Sequence, residues 1–172
     1  MFLKGHVTDN ILAESQMRGT LVCGMMSMHN LLQAPLFSTE KFDVLLRDMA
    51  TKYNEPLQFH DLEHGGYSVS AMQLAFQSLG LEMQQVNPDI FKTITTGAEV
   101  VALFEGAPGL MRATVGHWTC YLYRDGFILL FDSYGPNKNP PESVCTKIPA
   151  ESFNVQHLKS SEGVWRLSLI HI

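Results

Sequence analysis

The sequence predicts an α+β fold in which a helical layer packs on an antiparallel sheet. Three observations carry the prediction. Before Gly80, apolar residues recur at helical spacing in successive runs. After Gly80 the period shortens to that of strands. Two of the later strands are joined by a tight turn, which forces them to run antiparallel.

The first helix is expected over Leu21–Leu32, with Pro35 ending it because proline disfavours helical geometry in the residue before it. Ser38 reads as the N-cap of a second helix, in which Phe42, Leu45, Leu46 and Met49 share a face. Residues 53–66 are polar and carry Pro56 and Gly65-Gly66, and are expected as a loop or irregular arm. A third helix follows, with Val69, Met72, Phe76 and Leu79 on one face and Gly80 as terminator. Strands are expected at Leu81–Val86, Glu99–Phe104, His117–Tyr123 and Phe127–Asp132. Arg124-Asp125-Gly126 is the turn between the last two. Glu151–Lys159 reads as a helix and Val164–Ile170 as a final strand.

At 172 residues the chain is one domain's worth, 1–172, able to bury a core without disulfide staples. It is 45% hydrophobic and 17% charged, a balance that fits a compact globule and excludes a disordered tail. A net charge of −5 with no basic stripe argues against nucleic acid as a partner. No stretch is long enough for a membrane span, and no apolar run follows Lys4 as a secretory signal would require. Three cysteines, at 23, 120 and 145, leave an odd thiol and suggest a reducing compartment. The expectation is a cytoplasmic or nuclear monomer. The last six residues, Leu167-Ser168-Leu169-Ile170-His171-Ile172, equal the translation of a transposase adapter end used in sequencing libraries. A non-native origin is therefore an expectation for 167–172.

The chemistry is carried by Cys23, His117 and Asp132. Cys23 heads an apolar helical run, and the positive end of a helix favours the reactive thiolate. His117 opens one strand and Asp132 closes the next, so a hairpin brings them within hydrogen-bonding range on one face. An imidazole beside a thiol moves its proton, and an acid beside the imidazole orients it. Cysteine first, then histidine, then acid is the chain order of a papain-type cysteine hydrolase. Cys120 falls on the opposite face of the strand from His117. Cys145 lies in a proline-rich stretch with no helix N-terminus of its own. Cys23 is the candidate nucleophile.

The same residues resemble the Josephin family of deubiquitinases. Cys23 to Gln33, ending Asn30-Leu31-Leu32-Gln33 and followed by Phe37-Ser38, is similar to that family's nucleophile helix. Gly65-Gly66-Tyr67-Ser68 and Leu79-Gly80-Leu81-Glu82 resemble its central helix and following strand, and Ile148 to Trp165 resembles its closing helix and strand. His117-Trp118 matches its histidine motif and Asp132-Ser133 its third position. The likeness runs from about Arg18 onward.

The resemblance implies a papain-like fold. It also implies thiol-dependent hydrolysis of the peptide or isopeptide bond after the C-terminal glycine of ubiquitin or polyubiquitin, with no cofactor and no metal. It implies an oxyanion-hole glutamine, for which Gln16 is the candidate. Gln16 lies seven positions upstream of Cys23 (23 − 16), and Arg18 occupies the family's usual place. Met26 stands where the family usually has a histidine. A slot for the slim Gly-Gly tail is expected beside Gly66, with Trp118 or Tyr134 as a wall.

Each residue also has a plainer reading. Cys23 could be an inert buried thiol, Asp132 a turn cap, Trp118 core, and 134–141 a stiff connector. His60 and His64 have metal-ligand spacing but neither the right order nor a third ligand. Two functional alternatives stay open: a papain-type protease or amidase with another substrate, and a non-catalytic ubiquitin-binding module.

Overall fold

The computed structural model describes residues 2–3, 11–15, 23–54, 60–61, 66–92, 99–104, 117–155, 158 and 163–169. Its class is mixed α+β, as the sequence predicts. Helix α1 spans Cys23–Leu32, α2 Thr39–Lys52 and α3 Val69–Gln77. The described residues hold these strands, in chain order: β1 Phe2–Leu3, β2 Ile11–Leu12, β3 His60–Asp61, β4 Gly66–Tyr67, β5 Leu81–Val86, β6 Glu99–Phe104, β7 His117–Arg124, β8 Phe127–Phe131, β9 Cys145–Pro149 and β10 Gly163–Leu169. Six of them form one antiparallel sheet in the order β5-β10-β6-β7-β8-β9. The pairs β1–β2 and β3–β4 are two small antiparallel ribbons. No helix among the described residues is long and apolar enough to cross a membrane.

The helices begin and end for local reasons. Ser38 Oγ accepts the Lys41 N–H (3.3 Å) and Ser68 Oγ the Ala71 N–H (3.1 Å), each satisfying an orphan donor of a first turn. Helix α1 stops where Gln33 turns left-handed (φ 56°), two residues before Pro35. After α3 the chain turns at Gly80 (φ 75°), a conformation that glycine adopts without strain. The β7–β8 turn pairs Arg124 with Phe127 and leaves Asp125 (φ 52°) and Gly126 (φ 82°) at its tip. Two positive-φ residues make the turn whose twist matches a hairpin.

The sheet is covered on both faces. Alternation along β7 sends Trp118, Cys120 and Leu122 to the face under α1–α3. They pack there with Phe42, Met72, Phe76, Phe131 and Trp165. Tyr121, Ile128 and Val164 point the other way, against Phe91, Val155 and Leu158.

Four expectations need correction. Leu79 is 38% exposed, because α3 ends at Gln77 and Leu79 has left its apolar face. Glu151 does not open a helix: Ala150–Ser152 is a single 3₁₀ turn and Phe153 is extended. The apolar residues there, Phe153, Val155 and Leu158, instead serve the far face of the sheet. Cys145, expected in a proline-rich stretch before a helix, lies in β9, an edge strand. Residues 53–66 are not wholly irregular, since β3 and the start of β4 fall within them.

Candidate active site

Three elements converge on Cys23. It opens α1, where the first backbone N–H groups of a helix have no intrahelical partner and the helix dipole is positive. Strand β7 crosses beneath, and the Trp118 N–H points at Cys23 Sγ (3.3 Å). One turn along α1, Ser27 Oγ donates to the Trp118 carbonyl (3.0 Å), so the helix holds both main-chain polar groups of that residue. Packing between helix and strand is close because residue 24 is glycine. A Cβ there would meet Met72 Sδ at 2.7 Å and ring carbons of Trp118 and Tyr67 at 3.3 Å.

His117 and Asp132 come together through the β7–β8 register. Cys120 faces Phe131, so continuing the ladder by one residue sets Asp132 opposite Thr119, two residues from His117 and on the same face. The result is a 2.7 Å contact between His117 Nε2 and Asp132 Oδ1. The Cys23 side chain interacts with the imidazole as well and favours its charged form. Since Nε2 is engaged by Asp132, Nδ1 is the nitrogen left for sulfur. The structure thus brings Cys23, His117 and Asp132 together, with His117 bonded to the acid and interacting with the thiol.

The electrostatics follow from that chain. Burial disfavours the imidazolium, but the hydrogen bond to Asp132 and the interaction with Cys23 outweigh it and lift the His117 pKa to about 10. Burial likewise opposes the Asp132 carboxylate, yet His117 and Lys138 hold its pKa down at about 2. At neutral pH, histidine and acid are therefore an imidazolium–carboxylate pair. The other two thiols are held in the neutral form. Burial raises Cys120 well above the ordinary thiol range and Cys145 to about 11, and all three cysteines are free.

The remaining candidates divide. Trp118 is 1% exposed, with its indole against Trp165 and its Nε1–H donated to the Tyr67 carbonyl (2.8 Å). Its side chain is core, as alternation dictates, and only its backbone meets the site. Tyr134 lies edge-on to His117 (ring centroids 6.2 Å apart) and gives its N–H to Asp132 Oδ1 (3.0 Å). Gly66 belongs to β4, next to the Tyr67 carbonyl that anchors Trp118. Gln16 lies outside the described residues, as do Arg18, Gly65 and Gly116. His60 is in a strand, and His64 is likewise outside the described residues.

Neither a protein-family model nor a curated protein sequence matches this chain.

Several partners of the site are invisible to a reading by residue type. The Trp118 N–H is backbone, so no side chain announces it. Lys138, 3.1 Å from Asp132 Oδ2, sits in what reads as a connector. Behind α1, the motif Asn30-Leu31-Leu32-Gln33 has a mechanical role. Gln33 exchanges two 2.9 Å hydrogen bonds with the Leu12 backbone, as a neighbouring strand would. Asn30 does the same with Glu14 (2.6 and 3.2 Å). Buried His29 joins Glu14 Oε2 through Nδ1 (2.7 Å) and accepts the Phe37 N–H at Nε2 (3.1 Å). One end of α1 thereby docks the segment that leads into Cys23.

Proposed function

We propose that this chain is a Josephin-like cysteine deubiquitinase of papain-like fold. It cleaves the peptide or isopeptide bond after the C-terminal glycine of ubiquitin by a Cys-His-Asp mechanism. The observation that carries the reading is His117 bonded at Nε2 to Asp132 and engaged with the Cys23 side chain, with the thiol at the start of a helix. The resemblance of Cys23–Gln33, His117-Trp118 and Asp132-Ser133 to the Josephin motifs supplies the substrate class.

In this mechanism the Cys23 thiolate attacks the carbonyl carbon of the terminal glycine. The helix N-terminus and the Trp118 N–H favour the negative sulfur. The tetrahedral oxyanion is met by backbone N–H groups of the first turn of α1, with Gln16 as a further donor. His117, already protonated, gives its proton to the departing amine as the C–N bond breaks and a thioester remains. His117 then takes a proton from water, whose oxygen attacks the thioester and releases the free carboxylate and the thiolate. Asp132 fixes the ring throughout and stabilises its charged form.

The test is incubation with ubiquitin carrying a thiol-reactive electrophile at its C-terminus, read by intact mass. One ubiquitin should be added, the adduct should map to Cys23, and Cys23→Ala should remove it. Labelling that survives Cys23→Ala, or that maps to Cys120, would remove the assignment. If short peptides lacking Gly-Gly were cut as fast as ubiquitin fusions, a broader papain-type protease would replace the deubiquitinase.

A further inference from the structure

A fourth charged side chain touches the same constellation. Asp132 Oδ1 is occupied by His117 Nε2 and the Tyr134 N–H. The other oxygen, Oδ2, lies 3.1 Å from Lys138 Nζ, which also contacts Glu142 Oε2 at 3.2 Å. We propose that Lys138 is a positioning residue: it pins the second oxygen of Asp132 so that the first stays aimed at His117, while Glu142 holds Lys138 in place. This rests on the reading of Cys23 and His117 as the reacting pair.

The loop is built to deliver that contact. Gly135 N–H bonds the Asp132 carbonyl (3.0 Å), and the Gly135 carbonyl accepts from both Lys138 N–H (3.0 Å) and Glu142 N–H (2.9 Å). Asp132, Lys138 and Glu142 are therefore gathered around one peptide. The closeness requires glycine, since a Cβ at 135 would lie 2.7 Å from the Ser143 carbonyl oxygen.

A carboxylate held through one oxygen can swing about its last torsion, which has a broad minimum. Held through both, it cannot. The titratable groups that interact with the His117–Asp132 pair are Cys23 from α1, Tyr134 and Lys138 from the loop, and, through the field of Asp132 alone, Cys120 and Tyr121 from β7. Burial keeps the last two neutral. Among the described residues Lys138 is the second cation, beside His117, that offsets Asp132, and its removal leaves His117 more strongly tied to its proton.

The experiment compares Lys138→Met, Lys138→Arg and Glu142→Gln with the parent chain. It reads iodoacetamide alkylation mapped to Cys23, kcat and KM on a ubiquitin fusion, the His117 ring titration by NMR, and Tm. Lys138→Met should slow Cys23 alkylation and lower kcat by about 2- to 5-fold, the range of a partly exposed ion pair. KM should hold and the His117 midpoint should move up. Lys138→Arg should restore most of the rate, and Glu142→Gln should show a smaller loss than Lys138→Met. An unchanged rate and midpoint in Lys138→Met would overturn the proposal. So would a loss that tracks Tm with the midpoint fixed, or an Arg variant as impaired as Met. Should the parent fail to act on ubiquitin, the substrate reading falls, but alkylation and the midpoint still decide Lys138.

Discussion

Ser27 donates its hydroxyl to the Trp118 carbonyl across 91 positions of sequence, and both residues are buried. The bond locks the strand carrying His117 to the helix carrying Cys23. Replacing Ser27 with alanine leaves that carbonyl without its donor, which typically costs about 1–3 kcal/mol. Denaturant unfolding should show a loss of this size. Cys23 alkylation should slow as well, because the Trp118 N–H that faces sulfur belongs to the residue Ser27 holds.

Gly24→Ala sets two effects against each other. Alanine favours a helix over glycine by about 1 kcal/mol. The new methyl would crowd Met72, Trp118 and Tyr67, and overpacking costs about 1–3 kcal/mol. Crowding should win, with a net loss of stability in a thermal melt. The nearest atom is the flexible sulfur of Met72, so adding Met72→Ala to Gly24→Ala should show favourable coupling in a double-mutant cycle.

The His117–Asp132 pair sets a pH window. The His117 pKa is raised from 6.5 to about 10, so its contribution to stability is complete below 6.5 and is lost as pH rises through 10. The Asp132 pKa is lowered from 3.8 to about 2, so its contribution is complete above 3.8 and is lost as pH falls through 2. Stability from this pair should be flat between 3.8 and 6.5. Asp132→Asn should bring the His117 NMR midpoint down, because the carboxylate that raises it is gone. Asp132→Asn should also keep measurable turnover, whereas His117→Ala should lose on the order of 10²-fold or more.

Asn30→Ala removes a side chain that bonds both the N–H and the carbonyl of Glu14. Expected are a stability loss of about 1–3 kcal/mol and faster hydrogen exchange at residues 11–14. Unchanged exchange there would mean that the amide does not dock the segment.

How much of this was legible depended on what each residue contributes. β5 and β6 were expected with the bounds observed, because Gly80 and Asn87-Pro88 bracket the first and apolar residues concentrate in the second. The Asp125-Gly126 turn was legible for the same reason: its backbone requirement is written in residue type. β9 was not legible. As an edge strand it buries little beyond Cys145, and its Thr146-Lys147 sequence resembles a loop. At the candidate site, the gathering of Cys23, His117 and Asp132 could be read because the proposed chemistry demands those side chains. Lys138 could not, because its place depends on a loop folding around Gly135. Trp118 belongs to the His117-Trp118 motif, but its contact with sulfur is made by a main-chain group common to nearly every residue.

The latest of the described strands, β10, lies inside the sheet and is bonded to β5 on one side and β6 on the other. From it, Trp165 reaches Trp118, the neighbour of His117. A chain emerging from the ribosome at about 5–20 residues per second therefore exposes Cys23 long before the sheet can close around its partners. The thiol stays without its finished surroundings until β10 slots between strands already made. Synthesis itself delays completion of the sheet. The same arrangement makes β10 a natural point of division: a chain lacking it would have a gap between β5 and β6, which a peptide spanning 163–169 could fill.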